Sequence, residues 1–224
     1  MASHYISQDT YLKVAQIFNW AKSEDFILWF TGKTDRHRRT EAILPRLVKR
    51  GKLRAASYHK RLVYTVPRLA KSPAFDDEYQ IEHGLGCTDC LVRFVLSDRN
   101  VVIVPERKFR GSQIRPDGGL IYPNGWRLMY EFGTQDNSKR LGVLKNKIDR
   151  YLNVMKDNHQ IVFVLDLPRE KVTEIINKLP AHEAIWYIDY QTFKDIPFGK
   201  SLETPVYVNG GNGDILPLRK NGHA

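Results

Sequence analysis

The sequence predicts an α/β protein in two parts: a small basic module of helices and a hairpin, then a mixed sheet flanked by helices. Three observations carry that prediction. The net charge is +10, yet residues 1–70 hold fourteen Lys and Arg against five Asp and Glu, a net of +9, which leaves only +1 for the rest of the chain. Pro67 to Ala74 (PRLAKSPA) contains two prolines and reads as a linker. Beyond it, β-branched runs alternate with amphipathic stretches, as strands and helices do in a mixed sheet. The expected division is a module over 1–68, a linker over 69–77, a second domain over 78–196 and a tail over 197–224.

In the basic module, Thr10 to Lys22 places Tyr11, Val14, Ile17, Phe18 and Ala21 at helical spacing, and Gln8, Asp9 or Thr10 could cap it. Asp25 to Phe30 suits a short strand or the start of a second helix. A clearer helix opens at Thr34-Asp35 and runs to Arg50, with Pro45 expected to kink it or move its boundary, and Gly51 ends it. Leu53–Ser57 and Arg61–Val66 read as two strands around the basic tip Tyr58-His59-Lys60. Helix, helix and basic hairpin make a winged-helix pattern. In that pattern the basic helix enters a major groove and the hairpin touches backbone phosphates. The candidate DNA contacts are Arg36, Arg38, Arg39, Arg46, Lys60 and Arg61. The simpler reading is a solvated basic face or a dimerisation module.

The second part reads as a helix over Glu78–Leu96, a strand over Asn100–Pro105, and strands over Gly118–Tyr122 and Trp126–Phe132. A helix capped by Asn137 or Ser138 then runs to Met155, followed by a strand over Gln160–Asp166, a helix over Arg169–Leu179 and a strand over Ala184–Ile188. From Pro197 onward the chain is rich in Gly, Pro and Asn, and a loosely packed tail is expected.

The segment RPDGGLIYPNGWRLMYEFG, Arg115 to Gly133, concentrates the chemical signal. Asn124-Gly125 suits a two-residue turn with positive φ at both positions. Pro123 would then face Trp126, and position 117 would fall opposite 132. Asp117 and Glu131 become diagonal neighbours on opposite faces, unless Gly118-Gly119 allow a bulge that re-aims Asp117. Two carboxylates at one site repel each other unless a cation lies between them, and hard oxygens suit Mg²⁺ or Mn²⁺. The simpler reading is an acidic turn and a solvated strand end.

The PD at 116–117, the strand-borne Glu131 and the order α-β-β-β-α-β-α-β resemble the PD-(D/E)XK nuclease superfamily, with its restriction-endonuclease-like mixed sheet. The basic N-terminal module, EHGLGCTDC and EFGT resemble, more narrowly, the replication-relaxation family of mobile-element proteins. The resemblance implies a metal-dependent site in which Asp117, Glu131 and the Phe132 carbonyl hold Mg²⁺ or Mn²⁺. Duplex DNA is the expected partner, with a second copy of the chain as a further candidate. One departure stands out: the family places a lysine two residues after the glutamate, and this chain has Gly133 there. Some superfamily members carry the charge on the next helix, four residues before a tyrosine. Lys147 and Tyr151 have that spacing and share a helix face, with Lys139 and Lys145 as weaker substitutes. Lys147 is otherwise an ordinary surface lysine.

On the helix over Glu78–Leu96, superfamily members often supply an acidic or histidine side chain, here Glu82 or His83, although a lone His on such a stripe also fits a core histidine. His83, Cys87 and Cys90 lack a clear fourth zinc ligand, and cysteines three apart on a helix pack as small buried hydrophobes. His182-Glu183 carries no metalloprotease motif, and Gly210, Gly211 and Gly213 form no phosphate loop. Two cysteines are too few for a disulfide framework, no secretory leader is visible and no apolar run spans a membrane. The expectation is therefore a cytoplasmic protein in a reducing compartment. Two functions are expected from these residues: a divalent-metal-dependent DNA endonuclease of a mobile element, or a non-catalytic DNA-binding regulator of replication or transcription on a nuclease-derived scaffold.

Overall fold

The computed structural model describes residues 6–18, 20–32, 38–67, 77–97, 99–105, 109, 113–134, 141–179, 182–195, 205–207 and 215–217. It divides into two compact units, Met1–Leu96 and Ser97–Ala224. Together they are mixed α/β, with seven helices and two sheets among the described residues.

In the first unit, α1 spans Gln8–Ile17 and is capped one residue earlier than expected, by Ser7, whose Oγ accepts the Thr10 N–H at 3.2 Å. Tyr11, Val14 and Ala15 turn inward, and the buried Tyr11 hydroxyl meets Thr40 Oγ1 at 2.7 Å. The strand β1 is only Ala21–Lys22. Of the two options for the apolar stretch after it, the helix holds, as α2 over Ser23–Thr31. Asp25 Oδ2 accepts the Lys22 N–H at 2.6 Å at the start of α2, and Gly32 closes it at φ +67°. Helix α3, Arg38–Lys49, runs through Pro45 without ending there. Pro45 is exposed, while Ile43, Leu44 and Leu47 fill the core.

The strands β2 (Arg54–Tyr58) and β3 (Arg61–Thr65) form a hairpin, and β1 joins the far side of β3 to give the order β1-β3-β2. Tyr58 pairs with Arg61, so His59 and Lys60 are the whole turn, at φ +45° and +62°. Positive φ at both central residues defines the hairpin turn that glycine and asparagine favour, and here His and Lys adopt it.

Helix α4, Glu78–Ser97, packs with this unit. Its Ile81 and Leu85 cluster with Trp20 and Val63, and Gly84 is the point of closest approach. A Cβ at 84 would lie 2.5 Å from Trp20 Cδ1. The sequence division placed this helix in the second domain; its apolar stripe instead closes the core over β3.

The second unit is a seven-stranded sheet of order β10-β9-β8-β7-β6-β5-β4. Its strands in chain order are β4 (Val102–Pro105), β5 (Gly118–Ile121), β6 (Arg127–Gly133), β7 (His159–Leu165), β8 (Ile185–Asp189), β9 (Pro205–Tyr207) and β10 (Ile215–Pro217). The central strands β6, β7 and β8 are parallel, and antiparallel pairs flank them. Every residue of β7 is buried, as expected of a parallel strand covered on both faces. The helices are α5 (Leu141–Leu152), α6 (Arg169–Ile176) and α7 (Tyr190–Asp195). Leu144, Ile148 and Tyr151 of α5 pack with Met129, Ile161, Phe163, Ile185 and Tyr187 in one cluster on a single sheet face. The segment expected as a loose tail contributes β9 and β10 to the sheet, and α7 is an addition to the predicted elements. The cap expected at Asn137 or Ser138 lies outside the described residues.

The hairpin β5–β6 departs from prediction in its turn. The Gly125 N–H donates to the Tyr122 carbonyl, and the Tyr122 N–H donates to the Trp126 carbonyl, each at 2.9 Å. The loop is therefore three residues, Pro123-Asn124-Gly125, with Pro in the first turn position and Gly125 alone at positive φ, +81°. This shifts the register by one, and Gly118 pairs with Tyr130 rather than Glu131. Because φ at 125 is left-handed, Gly125→Ala should destabilise the second unit by about 1–2 kcal/mol. A urea titration checks this, and an unchanged midpoint would contradict the turn.

Candidate active site

Strand alternation puts Met129, Glu131 and Gly133 of β6 on one face, and pairing aligns Glu131 with Phe163 and Phe163 with Tyr187. That is the face α5 covers. Glu131 is the charged residue of β6 that this packing buries, with 2% of its surface exposed. A carboxylate so placed needs partners of its own. Helix α5 supplies them. Lys147 Nζ lies 2.5 Å from Glu131 Oε2, and the Tyr151 hydroxyl donates to Glu131 Oε1. Lys147 and Tyr151 are four apart, so one helix face presents both. Lys147 is partly exposed and Tyr151 fully buried, so Glu131 is held between a solvent-edge cation and a core hydroxyl.

Asp117 stands at the entry to β5. Its N–H donates to the Tyr130 carbonyl at 3.2 Å, while Gly118 also pairs with Tyr130. Two residues thus meet one, which is the arrangement of a β-bulge. Its Oδ2 accepts the Phe132 N–H at 2.7 Å, in the place where the next ladder acceptor of β5 would sit. Gly118 lets this happen, because a Cβ there would run into the Tyr130 ring.

The electrostatics follow from this placement. Burial pushes the Glu131 carboxyl up to about 8, the neighbouring Asp117 charge pushes in the same direction, and Lys147 and Tyr151 pull it back. The Tyr151 hydroxyl is raised as well, by burial and then by Glu131. Asp117, Glu131 and the Phe132 backbone are hard oxygen donors whose mutual repulsion a divalent cation would relieve, so the donor set fits Mg²⁺ or Mn²⁺.

The structure thus brings together Asp117, Glu131, Lys147 and Tyr151, all in the second unit. Gly133 leaves the next position on that face of β6 without a side chain. Lys145 is exposed on α5, and Lys139 lies outside the described residues. Glu82 and His83 belong to α4 in the first unit. His83 stacks on Tyr79 and lies 3.6 Å from Cys87 Sγ, and both cysteines are buried and not joined in a disulfide. Of the candidate DNA contacts, Arg46 is exposed on α3, Lys60 is in the hairpin turn, and Arg61 is exposed beside it, 3.8 Å from Glu24. Arg36 and the side chains of Arg38 and Arg39 lie outside the described residues.

Three polar residues at the carboxyl ends of the parallel strands were not anticipated. Asp189 ends β8, where its Oδ1 accepts the Thr192 N–H at 2.7 Å and its Oδ2 is buried without a partner among the described residues. Thr134 Oγ1 is in the same condition after β6. Asp166 follows β7, its carboxyl raised by burial and lowered by Lys194. Their sequence signal was a carboxylate closing each apolar run, at Asp166 and at Asp189.

Comparison with known proteins gives no matching family model and no matching curated protein. No helix among the described residues is long and apolar enough to cross a membrane.

A carboxyl raised in the folded state binds its proton more tightly there than in the unfolded chain. The resulting stability is fully present below the ordinary glutamate range and is lost as pH rises through about 8. Glu131→Gln should flatten this fall between pH 5 and 8, read as the unfolding midpoint at each pH. Equal slopes in wild type and variant would show that Glu131 is not the titrating group.

Proposed function

We propose that this protein is a metal-dependent DNA endonuclease of the PD-(D/E)XK type, joined to a winged-helix module that docks duplex DNA. The observation that carries the reading is the convergence of Lys147 and Tyr151 on Glu131, beside Asp117. A lysine missing from the strand at Gly133 has a counterpart arriving from α5. In this reading Asp117, Glu131 and the Phe132 carbonyl hold Mg²⁺ or Mn²⁺. The bound ion would supply an acidified water and a charge on the scissile phosphate. Lys147, at the solvent edge beside Glu131, would orient that water or balance charge on the phosphate. Tyr151 keeps the Glu131 carboxylate aimed from the core side.

Support for the docking module comes from the element order α1-β1-α2-α3-β2-β3, with β1 beside β3. The charge of +9 within residues 1–70 adds to it. A turn held at positive φ by His59 and Lys60, where Asn-Gly would be easier, suggests that the tip is kept for its cation rather than its stability.

The second reading is a DNA-binding regulator without hydrolysis, and Gly133 is the observation in its favour. Incubating supercoiled, linear, single-stranded and branched DNA with the full chain and Mg²⁺ or Mn²⁺ separates the two. Asp117→Asn should abolish cleavage and leave DNA affinity nearly unchanged. Lys147→Ala should lower cleavage strongly, and Tyr151→Phe less so. Wild-type cleavage by Asp117→Asn would move the site elsewhere. An inert wild type that gains cleavage through Gly133→Lys would favour the regulator.

Binding is tested separately. Affinity for duplex DNA should fall steeply with salt as phosphate counterions are released. The pair His59→Asn with Lys60→Gly should relax the turn and stabilise the first unit by about 1 kcal/mol or more. It should also weaken DNA binding and make it less salt-dependent. A tighter-binding variant would exclude the hairpin tip from the interface.

A further inference from the structure

A second feature of the sheet unit lies at the opposite end of β6 from Gly133. A cavity of about 270 Å³ is lined by Phe109, Arg127, Val154, Lys156, Asn158 and His159. Arg127 is four residues before Glu131 on the same face, or about 13 Å along the strand, so this is separate from the carboxylate site. The cavity has a cationic side and an apolar side. Arg127 and Lys156 are exposed, and neither forms an ion pair among the described residues. No carboxylate is among the described residues that line the space. Phe109 and Val154 supply the apolar wall, and the Phe109 ring meets His159 at 5.9 Å and Tyr151 at 6.2 Å.

The walls are held by main-chain bonds. The Arg127 N–H donates to the Asn158 carbonyl at 2.9 Å, the His159 N–H donates to the Lys156 carbonyl at 2.8 Å, and Asn158 Nδ2 donates to the Gly125 carbonyl at 2.9 Å. The Lys156 N–H donates to His159 Nδ1 at 3.2 Å, which places the proton of the neutral ring on Nε2 as a donor. Burial and then the charges of Arg127 and Lys156 hold the His159 ring below its ordinary range, as expected beside two cations. Such a site wants an anion. Its volume is near the lower bound for ligand cavities, yet it exceeds what a lone inorganic anion needs, and one wall is aromatic. A guanidinium, an ammonium and an aromatic ring together suit a phosphate attached to a planar base.

We propose that this cavity binds a nucleoside phosphate, with Arg127 and Lys156 on the phosphate and Phe109 and Val154 against the base or sugar. The same chemistry is offered by a free mononucleotide and by the phosphorylated end of a DNA strand. Calorimetric titration of the full chain, without divalent metal, tests it with thymidine 5′-monophosphate, thymidine, inorganic phosphate, and a tetranucleotide with and without a 5′-phosphate. Saturable binding of the monophosphate or the phosphorylated tetranucleotide is expected, at least tenfold tighter than thymidine or inorganic phosphate; the tighter of the two identifies the source. Arg127→Gln with Lys156→Gln should weaken it at least tenfold, while Lys178→Gln, a charge change outside the cavity, should not. Phe109→Leu should weaken the nucleotide and leave inorganic phosphate unaffected. Equal affinity for inorganic phosphate and the nucleotide overturns the nucleoside part of the proposal. Undiminished binding by a folded double variant, or no saturable binding of any probe, overturns the site. Because the readout is metal-free binding, its failure is distinct from failure of the metal chemistry proposed at Glu131.

Discussion

The buried carboxylate of Glu131 is the constraint on which the second unit depends. It sits on the sheet face that α5 covers, among Met129, Phe163 and Tyr187, where an unpartnered charge would be strongly unfavourable. Its two oxygens are satisfied from one helix, by Lys147 and Tyr151. The arrangement therefore specifies how α5 lies on the sheet as well as what chemistry the site can perform. Ile148, between them in sequence and fully buried, anchors the same helix in the apolar cluster. Apolar packing fixes the depth of α5, and the Glu131 contacts fix its rotation.

This polar anchor has a cost that matches its proposed use. Asp117 is held close enough to raise the Glu131 carboxyl further, although separating the two would be more stable. The bulge at Asp117-Gly118 and the close approach of Tyr130 to Gly118 maintain the arrangement. Local irregularity of this sort, sustained by surrounding packing, is characteristic of sites kept for function. The hairpin tip of the first unit obeys the same logic, with a His and a Lys in a turn that prefers Asn and Gly.

The parallel strands β6 and β7 also relate the two ends of the unit. At one end, past Glu131, the chain presents Asp166, Asp189 and Thr134. At the other, Arg127 and Lys156 flank His159. Acidic and basic groups thus lie toward opposite ends of one sheet, although residues 71–224 together carry a net charge of only +1. Net charge alone identified the basic first unit and could not reveal this separation, which depends on strand direction.

The sequence by itself determined the α/β class, the order of elements from α4 to β8 and the pairing of Lys147 with Tyr151. Each rests on a local regularity: apolar periodicity, β-branched runs, and the rule that residues four apart share a helix face. It also identified Asp117 and Glu131 as candidates, because their residue types and their proline and strand contexts are local. Tertiary structure decided the rest. Whether Asn124-Gly125 makes a two- or three-residue loop depends on strand twist and on Asn158 bonding Gly125, and this choice set the register. The attachment of α4 was decided by Trp20 meeting Gly84, a contact between residues far apart in the chain. The strands β9 and β10 form from a Gly- and Pro-rich segment because an open sheet edge at β8 offers hydrogen bonds that composition cannot show. That Lys147 reaches Glu131 was decided only when β6 and α5 packed face to face, since spacing along a helix states which side chains travel together and not what they meet.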